Sequence, residues 1–185
     1  GEISPYFRNR KLIEMHSIRR ADNSDSQIIA QLGRKTFVES HGHSASEKSI
    51  SNFLERNYTK EALAIELINP KFIYFIIEFD KTPVGFSKII LNTEHILVEE
   101  KSISLLDRIY LLEEYHDKKL GWILFQHLVE FTTAKNQKGM WLHTWIENKK
   151  AIIFYKKAGF KIIGSYDYNI DETHSNPNHV MHMKY

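Results

Sequence analysis

The sequence contains no cysteine, so disulfide bonds, thiol nucleophiles and thiolate metal ligands are excluded. It has no apolar run near the roughly 18 residues that a membrane helix needs, and its first segment, GEISPYFRNRKLIE, lacks the apolar stretch of a signal peptide. The formal net charge is only +2, which gives no strong field for nucleic acid or for a membrane surface. These absences favour a cytoplasmic protein with neither nucleic acid nor a membrane as a partner.

What the sequence does contain is typical of a globular protein. Hydrophobic residues make up 42% and charged residues 26% of the 185 residues, a composition that can build one core. No repeat, linker or low-complexity segment interrupts the chain. We expect residues 1–14 to be an N-terminal extension or processing remnant, and residues 15–185 to form a single domain.

Apolar periodicity predicts an α+β fold. Helical spacing predicts five helices, the first capped by Asp22 or Ser24 and the third by Thr59. A polar loop is expected over 169–178, because Asn, Ser and Pro dominate there. The β-prone segments that predict strands are 16–21, 72–79, 84–91, 102–112, 139–146, 160–166 and 180–185.

The stretch YHDKKLGWILF (115–125) lies between a predicted strand and an amphipathic helix. A helix that begins after a strand leaves its first N–H groups free, and together with the helix dipole they attract anions. His116, Lys118 and Lys119 add positive charge at the same place. The stretch therefore predicts either a cradle for phosphates or an ordinary solvated helix start.

A second pattern, N-x-x-A-x-x-F-Y-x-x-x-G-F, begins at Asn148 and ends at Phe160. Its apolar positions alone are typical of a core helix. That interpretation does not explain why strand, cradle, helix, strand and Asn-led helix follow one another in this order. The two interpretations stay open on the residues alone.

Taken together, RIYLLEEYHDKKLG (108–121) and WIENKKAIIFYKKAGF (145–160) resemble the acetyl-CoA-binding and Asn/Tyr motifs of the GNAT superfamily of N-acetyltransferases. Within it, TFVESHGHSASEKSISNFL (36–54), TKEALAIEL (59–67) and KKAGFKIIGSY (156–166) are similar to the bacterial spermidine/spermine N-acetyltransferases. The resemblance implies a mixed, mostly antiparallel sheet flanked by helices, and acetyl-CoA as the co-substrate without a metal.

The resemblance also implies which residues bind acetyl-CoA. The family pattern Gln/Arg-x-x-Gly-x-Gly/Ala covers the cradle, where His116 replaces Gln/Arg and Lys119 replaces the first glycine. We expect Lys119 to keep helical φ/ψ and to donate its N–H. The resemblance gives cofactor-binding roles to the backbone of Ile109, Tyr110 and Leu111, to Asn148 and Tyr155, and to the cradle residues His116, Asp117, Lys118, Lys119, Leu120, Gly121 and Trp122.

Proton transfer suggests the catalytic residues. A primary amine with a pKa near 10.4 costs roughly 4.6 kcal/mol to deprotonate at neutral pH. The leaving thiolate needs a proton, which the phenol of Tyr155 suits as the general acid. Asp107 and Glu147 are the candidates for the general base, and each is equally interpretable as an ordinary surface carboxylate.

The remaining residues bear on the acceptor. Segments 72–79 and 84–91 are predicted to form a hairpin with its turn at Asp80–Pro83. Glu39, Glu47 and Glu55 precede this hairpin, where the resemblance implies an acceptor wall, and Glu39 within TFVES is the expected contact for a polyamine. Solvated helix positions are the alternative for all three. The ten histidines show no metal-ligand spacing, so we expect no metal site.

Two functions follow from the sequence. The first is acetyl transfer from acetyl-CoA to a primary amine of a small molecule, with spermidine as a candidate. The second is a non-catalytic acyl-CoA-binding or regulatory module, which the altered glycine at Lys119 makes conceivable. A homodimer is left open in either case.

Overall fold

The computed structural model describes residues 15–185. The expectation for residues 1–14 lies outside this range. Two 3-10 turns, Asn23–Asp25 and Glu113–Lys118, accompany the regular elements. The helices are α1 (Ser26–His41), α2 (Glu47–Asn57), α3 (Lys60–Leu67), α4 (Leu120–Ala134) and α5 (Lys149–Ala158). The strands are β1 (His16–Arg20), β2 (Ile73–Phe79), β3 (Thr82–Ile90), β4 (Ser104–Leu111), β5 (Gly139–Trp145), β6 (Lys161–Asp171) and β7 (His174–Lys184).

The seven strands form one sheet in the order β1-β2-β3-β4-β5-β7-β6. Every neighbouring pair is antiparallel except β4 and β5, which run parallel with α4 as their connection. Such a connection is the usual way to join parallel neighbours. The mixed, mostly antiparallel sheet predicted from the sequence is confirmed.

Local sequence signals set several of the element boundaries. Asp22 accepts from the N–H of Ser24 and caps the first 3-10 turn, while Thr59 caps α3 through the N–H of Ala62. Between β2 and β3, Asp80 and Lys81 both have positive φ, 48° and 64°. Two such residues form the tight hairpin turn whose twist matches the strands, so the predicted turn is confirmed.

The sheet carries an apolar core on each face. Helices α1, α2 and α3 cover one face, where Phe37, Tyr58 and Phe86 belong to a buried cluster. Helix α4 covers the other face with Leu124 and Leu128. Helices α1, α2 and α4 thus bury the apolar stripe that their sequence period predicts, whereas α3 buries mainly Leu63.

The strands β4 and β5 separate soon after they meet. Only Ser104 pairs with Met140 and Leu105 with Trp141. Beyond these two pairs no residue of β4 has a partner in β5. The sheet therefore opens between its two central strands, and backbone groups along this edge of β4 are left free for a ligand.

The last hairpin corrects one prediction. The segment 169–178 is not a loop, because β6 and β7 continue through it and pair from Lys161 with His182 to Asp171 with His174. Its Asn, Ser and Pro residues indicated a loop, yet cross-strand hydrogen bonds pair the backbone along both strands. Pro177 is accommodated opposite Asp167.

None of the helices within residues 15–185 is long and apolar enough to span a bilayer. The longest, α1, has 16 residues and carries charged side chains.

Candidate active site

A cavity of about 720 Å³ occupies the opening between β4 and β5. Helix α1 borders it with Glu39 and His41, and the N-terminal ends of α4 and α5 border it with Lys119 and Lys150. Tyr155 borders it as well. Residues predicted for the cofactor, for catalysis and for the acceptor thus share one cavity.

The free edge of β4 presents backbone groups to this cavity. Leu112 donates its N–H to Val84 in β3, and the pairing is continuous down to Arg108. Hydrogen-bonded residues alternate along an antiparallel ladder, so the N–H and C=O groups of Ile109 and Leu111 face β5. The backbone of Tyr110 faces β3 instead. Its predicted backbone contact with the cofactor is therefore wrong, although its side chain borders the cavity.

The turn before α4 holds Lys119 in the left-handed conformation, with φ 57° and ψ 20°. The expectation of helical φ/ψ is wrong at this position. This conformation costs a non-glycine residue about 1–2 kcal/mol. A glycine adopts this conformation at no steric cost, so the backbone of this turn is of a kind that suits the glycine of the family pattern.

The first turn of α4 has free N–H groups and an uncrowded glycine. Leu120, Gly121 and Trp122 are the first residues of α4, and their N–H groups have no intrahelical partner. A Cβ built on Gly121 would be 3.8 Å from Leu111 and 4.0 Å from Phe154, which is ordinary contact distance. The protein's own packing leaves room for a side chain there, so the glycine keeps space for a ligand.

His116 makes two hydrogen bonds that hold the same turn in place. Its Nε2 lies 2.8 Å from the carbonyl oxygen of Leu111, and its Nδ1 lies 3.0 Å from the ammonium of Lys150. A carbonyl only accepts and an ammonium only donates, which fixes the neutral Nε2–H tautomer. Lys150 thereby brings a positive charge from α5 to the cradle.

Three predicted cofactor contacts do not border the cavity. The ammonium of Lys118 lies over the ring of Phe79 at 5.2 Å, and Leu120 is 1% exposed in the core. Asp117 is exposed and also lies outside the cavity wall. The side chains of Asp117, Lys118 and Leu120 therefore do not contribute to the cavity wall.

Helix α5 brings the two motif residues to the cavity. Asn148 caps the helix, since its Oδ1 accepts from the N–H of Ala151 at 3.3 Å. Tyr155 lies two turns further, against the rings of Phe154 and Phe160 at 5.6 and 5.5 Å. Burial raises the pKa of Tyr155 above its ordinary value, so its phenol holds a proton at neutral pH.

The carboxylates that were candidates for the general base differ in their surroundings. Asp107 is the bulged residue of β4, and its Oδ2 is 3.1 Å from the ammonium of Lys88, which is 4% exposed. Lys88 also pairs with Glu66 at 2.5 Å. Glu147 is exposed at the rim. Asp107 is therefore held by a buried cation, whereas Glu147 is solvated.

The three glutamates proposed for the acceptor do not act together. Glu39 borders the cavity and accepts the N–H of Glu113 at 3.2 Å. Glu55 pairs with Arg34 at 2.9 Å and lies outside the cavity wall, as does Glu47 in the first turn of α2. Only Glu39 retains a place in the acceptor wall.

The opposite wall contains residues that the sequence analysis missed. His143, Asn176 and Asn178 border the cavity, and the Nδ2 of Asn176 and the Oδ1 of Asn178 are buried without a partner among residues 15–185.

The sequence also contained one signal for the phosphate cradle. Lys149 and Lys150 open α5, where the helix dipole disfavours cations, which indicates an anionic ligand.

The part of the chain that the structure describes has no group of three or more metal-ligating side chains.

His41 ends α1 and stacks on Phe37, with ring centroids 4.9 Å apart. Burial, with a smaller contribution from His43, lowers the pKa of His41 to about 4. Its imidazole is therefore neutral at physiological pH.

Comparison with known proteins agrees with this geometry. The model of the acetyltransferase (GNAT) family matches residues 30–160. A spermidine N(1)-acetyltransferase of Thermoplasma acidophilum is 29% identical over 154 residues, covering 78% of this chain and 88% of the relative. An uncharacterized N-acetyltransferase of Lactobacillus delbrueckii subsp. lactis is 25% identical over 143 residues, covering 77% of this chain and 82% of the relative.

Among solved structures, the PaiA N-acetyltransferase of Thermoplasma acidophilum in complex with coenzyme A superposes with a TM-score of 0.73. It is 24% identical, and the match covers 92% of this chain and 99% of that one. The likeness confirms the fold.

The protein belongs to the acetyltransferase (GNAT) family. It is an acetyl-CoA-dependent N-acetyltransferase, as the sequence motifs predicted.

Proposed function

We propose that the protein transfers the acetyl group of acetyl-CoA to a primary amine of a small molecule, and that a polyamine such as spermidine is the acceptor. The observation that best supports this proposal is one cavity, which joins the cradle to the α1 wall through the gap between β4 and β5. A thioester and an amine that enter from opposite ends meet beside Tyr155.

Acetyl-CoA supplies an activated acyl group on a thiol leaving group. The α4 N–H groups and Lys150 bind its pyrophosphate, and the free N–H groups of Ile109 and Leu111 bind along the pantetheine and the acyl oxygen. Preorganised donors of this kind stabilise negative charge that develops on a carbonyl oxygen. Asn148 bounds the same stretch and adds its amide N–H groups.

Tyr155 supplies the proton that the departing thiolate needs. The phenol is protonated at neutral pH, since burial raises its pKa. A general acid in this role typically contributes about 10²–10⁴-fold to the rate. The catalytic assignment of Asp107 and the binding assignment of Glu39 remain proposals.

The acceptor end carries negative charge suited to an amine. Glu39 and Asp107 border it, and Trp145 lies beside His41 with ring centroids 5.4 Å apart. Aromatic faces and carboxylates both attract ammonium groups. The relative named as a spermidine N(1)-acetyltransferase supports spermidine as the first acceptor to test.

The test is thiol release from acetyl-CoA across a panel of spermidine, spermine, a monoamine, an amino acid, a peptide and an aminoglycoside. The protein has no cysteine to raise the background. We expect release with spermidine and a pH optimum above neutral, because the neutral amine is the nucleophile. Release with the other amines but not with polyamines would overturn the polyamine proposal alone. Binding of acetyl-CoA without release from any amine would support the non-catalytic module instead.

A further inference from the structure

His143 lies on β5 two residues beyond Trp141, the last residue of β5 that pairs with β4. Asp107 lies two residues beyond Leu105, the partner of Trp141. Both side chains border the cavity that Tyr155 also borders. His143 and Asp107 thus both lie on the cavity beyond the point where the sheet opens, close enough for the charge of Asp107 to act on the imidazole.

The imidazole of His143 is fixed in position but its nitrogens are free. It stacks on Tyr166 with ring centroids 4.1 Å apart and an angle of 4°, and Trp141 contacts it edge-on at 5.2 Å. Among residues 15–185, the hydrogen bonds to histidine rings involve His41, His95, His116 and His174, and none involves His143. By contrast, His116 and His174 each bond to a backbone carbonyl.

The groups around this ring decide its charge. Burial lowers the pKa of His143, and His95 in the β3–β4 loop lowers it further. Asp107 from β4 raises it, and Tyr166 on β6 is the remaining titratable neighbour. The ring is therefore neutral at physiological pH and able to accept a proton, while Asp107 is placed to stabilise the charged form.

The carboxylate of Asp107 has two cationic neighbours. Its Oδ2 is 3.1 Å from the ammonium of Lys88 and 3.8 Å from the Nε of Arg108. This carboxylate is therefore already engaged by Lys88 and Arg108. The neutral imidazole of His143 is not engaged by such a pair of cations.

We infer that His143 is the proton acceptor for the amine substrate, with Asp107 as the positioning residue that stabilises the resulting imidazolium. The inference rests on the proposed acetyl transfer to an amine. One proton passes from the substrate nitrogen to an imidazole nitrogen as the C–N bond forms, and it leaves to solvent after turnover. The thiolate released as the C–S bond breaks takes a separate proton from Tyr155, which regains one from solvent, so the two transfers use different residues.

Kinetics of His143 variants test this inference. His143→Gln should lower kcat/KM by about 10²-fold or more, the usual scale for a lost general base. In His143→Ala, added imidazole should restore part of the rate, while pyrazole, of equal size but weakly basic, should not. The matched control is His127→Gln on α4, a histidine whose pKa burial also lowers but which lies outside the cavity.

A titration that needs no turnover separates this inference from the proposed function. The pKa of His143, followed by NMR in the full chain, should fall in Asp107→Asn, because the carboxylate raises it. An unchanged pKa would overturn the pairing with Asp107. Wild-type turnover in His143→Gln, or equal rescue by imidazole and pyrazole, would overturn the catalytic role even if spermidine is acetylated.

Discussion

The ammonium of Lys150 donates to Nδ1 of His116 at 3.0 Å, which joins the first turn of α5 to the turn before α4. The same ring donates from Nε2 to the carbonyl of Leu111 at the end of β4. One side chain therefore ties together the three elements that surround the cofactor cradle. It also brings a cation to a helix start that lacks one of the family glycines.

This bond leads to a prediction about coenzyme A. Lys150→Gln should weaken binding of coenzyme A by about two- to five-fold at low salt, the scale of an exposed charge pair. The wild-type affinity should fall as salt rises, because salt screens the contact. Calorimetry measures both effects. Lys157→Gln, on the same helix but outside the cavity, is the control and should match the wild type.

The left-handed conformation of Lys119 predicts that a glycine at this position makes the folded protein more stable. Lys119→Gly should raise the free energy of unfolding by about 0.5–1 kcal/mol, since glycine avoids the steric cost. Lys119→Ala removes the ammonium but keeps the Cβ, so the difference between the two variants isolates the backbone effect. Thermal unfolding should show a rise of about 1–4 °C only for glycine. Affinity for coenzyme A should stay roughly level in Lys119→Gly, and a large loss would show that the ammonium binds phosphate.

Removing the phenol of Tyr155 should slow the chemistry. Tyr155→Phe is expected to lower kcat by about 10²-fold with little change in KM for acetyl-CoA. Burial raises the pKa of Tyr155, so the wild-type rate should not lose this acid between pH 7 and about 10. Tyr115→Phe, outside the cavity, is the control. Unchanged turnover in a folded Tyr155→Phe would reduce Tyr155 to a packing aromatic.

Glu39 allows a test of acceptor charge. Glu39→Gln keeps an oxygen that can accept the N–H of Glu113 but removes the negative charge. We expect KM for spermidine to rise about three- to five-fold, and KM for a monoamine to change less. Glu55→Gln, which loses only the exposed pair with Arg34, should leave both constants unchanged. Equal effects on both amines would contradict a polyamine-binding role for Glu39.

The hydrogen bonds of Asp25 lead to a prediction of how the free energy of unfolding depends on pH. Its carboxylate accepts from Arg19 at 2.8 and 2.9 Å and from the N–H of Asp22 at 3.0 Å. The hydrogen bond with Arg19 lowers the pKa of Asp25 more than burial raises it. The folded pKa therefore lies below the unfolded value of about 3.9, so the stabilisation is present above pH 4 and is lost as the pH falls through the folded pKa.

Asp25→Asn should accordingly cost about 1–2 kcal/mol at pH 7, a low estimate because the Arg19 side chain is 40% exposed. Denaturant unfolding at pH 7 and at a pH below the folded pKa of Asp25 should show the cost only at the higher pH. Asp167→Asn, on the exposed side of β6, is the control. A cost that persists unchanged in acid would mean that packing, and not charge, makes Asp25 important.

Much of the fold was predictable from local signals in the sequence. The turn residues Asp80 and Lys81, the cap Thr59 and the apolar period of α4 each depend on neighbours within a few positions, so pattern and chemistry determine them. Two motifs in order were enough to identify the family, which the match over residues 30–160 confirms.

The polar final hairpin was not predictable in this way. Its strands are held by pairing with each other and with β5, and the composition of 169–178 on its own indicated a loop. The left-handed conformation of Lys119 was likewise not predictable from the sequence, since a lysine has no local preference for positive φ.

The sequence by itself determined the family, the element order and the caps Thr59 and Asn148, because those depend on short-range chemistry. Only the tertiary structure decided which side chains share the cavity. It separated Glu39 from Glu47 and Glu55, engaged Asp107 with Lys88, and brought His143 to the opening in the sheet. These placements depend on where β4 and β5 part and on long-range charge pairing, which no local pattern records.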